Sequence, residues 1–187
     1  KVLGSSYSFT VRVAQSADTE ITVPMIVSGY GHTLALRADG TVWAWGDNTY
    51  GQLGDGTYGT SNVDKFVPRQ VRIGQNESNT KLLTNIKYVA AGANSSAAID
   101  QNGLLYVWGN NDYSQMGLGN TMSHSDFYSP SKIESISGAT MITAGANHAM
   151  VYAGGKVYTW GANESGQLGK GTDTFGASTE GVPTEIT

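Results

Sequence analysis

The sequence predicts an all-β fold assembled from three copies of one supersecondary unit. Three observations lead there. A Trp-Gly pair recurs in the same local setting at Trp45-Gly46, Trp108-Gly109 and Trp160-Gly161. Each pair closes an alternating run that follows a turn dipeptide: Asp39-Gly40, Asn102-Gly103 or Gly154-Gly155. Such dipeptides tolerate the positive φ that a two-residue hairpin demands. The composition is also rich in turn formers and poor in helix formers. Glycine occurs 25 times and charged residues make up 14% of the chain, where about 25% is usual. Ser, Thr, Asn and Gly supply most of the polarity. The 187 residues are 39% hydrophobic, enough for one domain whose core is built from short segments.

Taken in order, residues 1–25 stand apart from the repeat as an N-terminal extension. "SYSFTVRV" and "TEITVP" alternate around "AQSAD" and read as two strands and a turn. The three repeats occupy about 26–88, 89–140 and 141–187. Each begins with a strand-like segment, "SGYGHTLAL", "AGANSSAAI" or "AGANHAMVY". Each returns along "TVWAWG", "LLYVWG" or "KVYTWG". The period of two puts Trp43 with Trp45, Tyr106 with Trp108 and Tyr158 with Trp160 on one face, and Val42, Leu105 and Val157 on the other. A loop follows with Gln52-Leu53-Gly54, Gln115-Met116-Gly117 or Gln167-Leu168-Gly169, then a further glycine at 56, 119 or 171. Each unit ends in Pro-x-x-Val/Ile, from Pro68, Pro130 and Pro183, and proline is tolerated where a strand needs no ladder donor. Inserts fall at 57–66, 74–86, 120–129 and 172–181.

"GANESGQLGKGT" contains a Gly-Lys-Gly-Thr that could pass for part of a phosphate loop. Lys170, however, takes the place of Asp55 and Leu118 in the other repeats, and no strand–loop–helix context surrounds it. These glycines are expected to serve backbone geometry and close packing.

The combined stretch "GHTLALRADGTVWAWGDNTYGQLGDGT" and its two echoes resemble the regulator of chromosome condensation repeat family over residues 26–187. The resemblance implies β-propeller blades, each a four-stranded antiparallel sheet, in rings usually of seven. It implies a structural signature at Trp45, Gly46, Gly54, Trp108, Gly109, Gly117, Trp160, Gly161 and Gly169. Repeat 2 departs by Ser95 in place of His32 and His148, and by Met116 in place of leucine; repeat 3 has one residue fewer at its hairpin. Propellers close with four to eight blades, so three make an incomplete ring, completed by oligomerisation or forming part of a longer propeller. "VPMIVSG" matches "KYVAAG" and "MITAG", so one blade is expected to be divided between the two ends of the chain.

Little points to catalysis. His32 and His148 share a repeat position in apolar strands and are expected to make structural hydrogen bonds, and His124 lies in a polar loop. "DNTYGQ" and "NNDYSQ" lack the residue order of a calcium loop, and turn formation by Asp and Asn accounts for them. There is no cysteine, no paired-histidine helix motif and no Gly-x-Ser-x-Gly. No enzyme activity, cofactor or metal is expected. Net charge is −4 with no Lys/Arg cluster, which argues against nucleic acid as partner. No apolar run approaches a membrane span.

The expected partner is protein: other copies of the chain or the rest of a longer chain, with a glycan as alternative. Candidate contact residues are the loop aromatics Tyr50, Tyr58, Tyr113, Phe127, Tyr128 and Phe175, with Phe66 of the same class. Tyr50 and Tyr113 share a repeat position. The expected function is a non-catalytic binding or assembly module of an extracellular, cell-surface or virion-associated protein. A secreted inhibitor or glycan-binding propeller is the alternative, and an exchange factor acting on guanine nucleotides is a weaker one. Its texture is similar to bacterial and phage-encoded members of the family, among them secreted proteins and β-lactamase inhibitors.

Overall fold

The computed structural model describes residues 22–59, 65–74, 81–119, 126–171 and 179–186. Of the two strands expected within residues 1–25, the first lies outside them, and the second, 19–24, is described only at 22–24, which form no strand; Phe175 also lies outside. The described residues contain twelve strands and no helix.

Blade 1 comprises β1 (Met25–Ser28), β2 (His32–Leu36), β3 (Val42–Gly46) and β4 (Lys65–Gln70). Blade 2 comprises β5 (Ile86–Ala91), β6 (Ser95–Asp100), β7 (Leu105–Gly109) and β8 (Phe127–Ile133). Blade 3 comprises β9 (Ala139–Ala144), β10 (His148–Ala153), β11 (Lys156–Ala162) and β12 (Thr179–Ile186). Each blade is an antiparallel meander hydrogen-bonded in chain order. No blade is divided between the chain ends. The segment from Met25 pairs with its own hairpin strand, Met25 opposite Leu36, and the proline-bearing strand pairs with its own Trp-Gly strand, Trp43 opposite Gln70. A similar motif at both ends therefore marks first and third units that are each complete, and the three sheets form an incomplete ring.

The hairpin turns carry the backbone the sequence demands, with Gly40 at φ 74° and Gly103 at φ 77°. The Trp-Gly glycine has a different task. Gly46, Gly109 and Gly161 have φ near 100° and lie against the chain entering β2, β6 or β10. A Cβ on Gly109 would stand 2.5 Å from Asn94 O. The strand register shifts at this point in all three blades, which turns the chain out of the sheet and into the Gln-Leu-Gly loop.

Both hydrophobic cores lie between blades. One joins Leu34, Leu36, Val42 and Leu53 of blade 1 to Val89, Ala98 and Trp108 of blade 2. The other joins Ala97, Ile99, Leu105 and Met116 of blade 2 to Ile142, Val151 and Trp160 of blade 3. Each sheet is apolar on both faces because it is designed to sit between two others. Along the inner edge β1 packs against β5, and β5 against β9.

Candidate functional site

The chemistry repeated in every unit binds one blade to the next. In the loop after each Trp-Gly pair, an asparagine accepts from a backbone amide five residues on. The bonds are Leu53 N to Asn48 Oδ1 at 3.0 Å, Met116 N to Asn111 Oδ1 at 3.1 Å and Leu168 N to Asn163 Oδ1 at 3.0 Å. The glutamine side chain accepts from the amide two residues before it, at Tyr50, Tyr113 and Ser165. With both side chains engaged in backbone, "DNTYGQ" is a folded turn that holds the glutamine carbonyl outward.

That carbonyl receives the tryptophan of the following blade. Trp108 Nε1 donates to Gln52 O at 2.9 Å and Trp160 Nε1 donates to Gln115 O at 2.8 Å. The indole edge lies so close that a Cβ on Gly54 would stand 2.7 Å from Trp108 Nε1, and one on Gly117 2.8 Å from Trp160 Nε1. Glycine is required there by both its neighbour and its φ, +64° and +65°. Trp108 and Trp160 are fully buried, while Trp43, Trp45, Tyr106 and Tyr158 are half-buried.

A second link runs through His32. Its Nε2 lies 2.9 Å from Ser96 Oγ, and Ser96 Oγ donates to Gln52 O at 2.8 Å. The serine proton is thus committed, so His32 Nε2 carries the hydrogen and donates to Ser96. Nδ1 is then a bare acceptor, and it has no hydrogen-bond partner. Burial lowers the His32 pKa to about 4, although Asp47 nearby favours the charged form. The imidazole is a neutral clasp between blades, as a structural histidine should be. His148 is half-buried, with its pKa also lowered by burial.

The candidate aromatics separate into groups. Tyr58 and Tyr128 stack, with centroids 4.0 Å apart and planes 11° from parallel. Tyr128 also covers Gly51, where a Cβ would stand 2.6 Å from Tyr128 Cα, so Tyr50, Tyr58 and Tyr128 gather at one rim of the junction between blades 1 and 2. Tyr58 is 56% exposed, and burial together with Tyr58 pushes the Tyr128 phenol up, keeping it neutral. Tyr113 is exposed on the corresponding loop of blade 2. Phe127 opens β8, is half-buried and packs against both cores. Phe66 lies in β4 and is 93% exposed. Sequence reasoning did not anticipate the contribution of Ser96 or Gly51; both touch residues of another repeat, and no local pattern marks such contacts. Among the described residues no three of His, Asp or Glu cluster as a metal site would require.

This geometry, a Trp-Gly strand keyed into the preceding Gln-Leu-Gly loop, coincides with a known repeat. The family model for the regulator of chromosome condensation (RCC1) repeat matches residues 39–99, 102–152 and 154–187. The chain belongs to the RCC1-repeat family. It is 34% identical over 148 residues to the human E3 ubiquitin-protein ligase HERC2, which covers 78% of this chain but 3% of that protein. It is 35% identical over 154 residues to the Arabidopsis thaliana ultraviolet-B receptor UVR8, covering 81% of this chain and 32% of the receptor. The chain thus spans a third or less of these relatives. In structure it is similar to yeast Prp20p, with a TM-score of 0.73 at 25% identity over 87% of this chain and 38% of that one. It is also similar to human WBSCR16, with a TM-score of 0.70 at 26% identity over 94% of this chain and 40% of that one. The Prp20p structure was described together with binding to Gsp1p and histones. The RCC1-repeat fold in this chain thus joins it to a family of protein-binding propellers.

Proposed function

We propose that the chain is a non-catalytic protein-binding or assembly module of an extracellular, cell-surface or virion-associated protein. Its propeller is completed by further copies or by more of a longer chain. The observation that carries the reading is the division of labour among side chains. The repeated residues are consumed in joining blades, while Tyr58, exposed, and Tyr128, half-buried, form a rigid stack on the rim of one junction. Rigid aromatics of low conformational entropy are the usual anchors of an interface. Low charge and abundant Ser, Thr, Asn and Gly suit an exposed, turn-rich surface outside the cell.

The test is a Tyr58→Ser/Tyr128→Ser variant. Partners recovered by cross-linking on the wild-type chain are purified, and their affinity is measured against both forms. Hot-spot loss of about 2 kcal/mol corresponds to a Kd raised roughly 30-fold, with the blades intact by circular dichroism. Unchanged Kd for every recovered partner sinks the reading. The flat outer face of Tyr58 also suits a sugar ring, so a glycan is the second reading; binding on a glycan array that disappears in the same variant supports it. An exchange factor acting on guanine nucleotides is the weaker alternative.

A further inference from the structure

The junction of blades 1 and 2 and that of blades 2 and 3 share their joining residues and differ at their rims. In the first, Gly56 N donates to Tyr128 O at 2.9 Å; in the second, Gly119 N donates to Gly181 O at 2.8 Å. Gly109 stands opposite Phe127 and Gly161 opposite Glu180, which makes Asp126 and Thr179 equivalent. With the backbone alike, the side chains can be compared position by position. Asp47 of the first junction is replaced by Asn110 in the second, Asp55 by Leu118, Asp126 by Thr179 and Tyr128 by Gly181. Three acids and a tyrosine stand at one rim where the other has neither charge nor ring at the same positions. Each junction lies between two blades of this chain, so the contrast is one of sequence.

The acids flank the tyrosine stack. On the blade 1 side, Asp47 Oδ1 accepts from Thr49 N at 2.9 Å, and Thr49 O accepts from Gly59 N at 3.2 Å, which ties the residue after Tyr58 to the Asp47 turn. On the blade 2 side, Asp126 lies two residues before Tyr128 and its charge acts on the Tyr128 phenol. Asn110 Nδ2 joins Asp126 to Asp112, at 3.3 and 2.9 Å. Among the described residues none of Asp47, Asp55, Asp112 and Asp126 is in an ion pair; the ion pairs there use Asp39, Glu134, Glu185 and Glu180. Burial, and then the Asp112 charge, push the Asp126 carboxyl up, as befits an acid with no cation beside it. Asp55 is 5% exposed, its Oδ1 is held by Asn48 and Thr57, and its Oδ2 has no hydrogen-bond partner. An acceptor buried without a donor costs free energy, which a cation brought to the rim offsets.

We propose that this rim docks a basic segment of a protein partner, with an arginine guanidinium laid on the open face of Tyr58 and its charge met by Asp47 and Asp126. The inference rests on the protein-binding reading above and names the chemistry of the partner. A guanidinium is planar, always charged and weakly hydrated, so it stacks on a ring better than a compact ammonium does. The ring quadrupole attracts a cation above it, and the flanking carboxylates add an attraction that salt screens. Ring centroids 4.0 Å apart leave no room between Tyr58 and Tyr128, so the ligand takes the outer face of Tyr58. A sugar ring could use the same face but has no need of the acids around it. The net charge of −4 favours the same kind of partner.

Fluorescence anisotropy with a labelled peptide of alternating Arg and Gly tests it, with citrulline in place of arginine as the neutral match. The wild-type chain is expected to bind the arginine peptide about 10-fold more tightly than the citrulline peptide, and less tightly as salt rises. Asp47→Asn/Asp126→Asn is expected to weaken the arginine peptide about 10-fold. Asparagine is the residue blade 2 carries at the position of Asp47, so the turn tolerates it. Tyr58→Ser is expected to do the same, whereas Glu134→Gln, which removes one acid beyond the far end of β8, is expected to change the Kd less than about 2-fold. Equal affinity for the two peptides overturns the proposal, and that comparison needs no substitution, so it decides even where a variant fails to fold. An Asp47→Asn/Asp126→Asn chain that is folded by circular dichroism and binds as tightly as wild type overturns it too. So does an equal loss in Glu134→Gln, which would make the attraction one of net charge alone. Partners lost with Tyr58→Ser/Tyr128→Ser but kept with Asp47→Asn/Asp126→Asn would leave the protein-binding reading standing and sink this one.

Discussion

At the level of single residues, the most consequential side chain is His32. Its ring lies over Gly29, where any Cβ would collide with it, and its Nε2 hydrogen is committed to Ser96. The folded protein therefore holds the imidazole neutral, with a pKa near 4 in place of 6.5. The unfolded chain takes up a proton at its ordinary value and the native chain does not. Stability from this group is thus fully present above about pH 6.5 and is lost as pH falls towards 4. The shift corresponds to an upper value on the order of 3 kcal/mol. Unfolding in urea at pH 7 and at pH 4.5 is expected to show a lower midpoint in acid. His32→Gln, which can still donate to Ser96, is expected to remove most of the difference between the two pH values. An equal acid loss in the variant would assign the effect to other groups, such as the Asp39 carboxyl, whose pKa is lowered because its desolvation is outweighed by hydrogen bonds from Thr41 and the Arg37 charge.

At the level of the structural element, the Gln-Leu-Gly loop shows why glycine recurs. Gly54 and Gly169 have nearly the same φ, +64° and +68°. They differ in what stands beside them: the Trp108 indole in one case, open space in the other. Gly54→Ala is expected to cost the left-handed strain of roughly 1–2 kcal/mol plus a packing penalty of about 1–3 kcal/mol as Trp108 is displaced from Gln52 O. Gly169→Ala is expected to show the strain alone. Equal losses in thermal melts would mean that the indole yields freely. The same loop shows how far the sequence could be read. The period of two placed Trp45, Trp108 and Trp160 on one face correctly, because strand alternation is local. It could not tell that Trp108 and Trp160 are fully buried while Trp45 is half-buried, since burial depends on a preceding blade. The asparagine turns were legible from residue type. The Tyr58–Tyr128 stack was not, because it is set by packing between repeats. Phe127 and Phe66 read as loop residues because the inserts run without a punctuating glycine into β8 and β4; one proved to be packed on the cores, the other exposed.

At the level of the whole molecule, stability should be distributed as in a linear array, since each blade contacts only its neighbours and both cores lie between blades. Blade 2 is sandwiched: β6 is buried along its whole length, and its two faces contribute to both cores. Blades 1 and 3 each lend one face. Opening blade 3 alone breaks one core and the Trp160–Gln115 bond, and opening blade 1 alone breaks the other core with the Trp108, His32 and Ser96 links. Opening blade 2 breaks both sets at once. Native-state hydrogen exchange is therefore expected to find the slowest amides in β6 and β7. Protection in β10 and β11 should be lower, because blade 3 can detach while the first two remain folded. Shared protection across all three blades would instead mean that they unfold as one cooperative unit, with the interfaces stronger than the sheets they join.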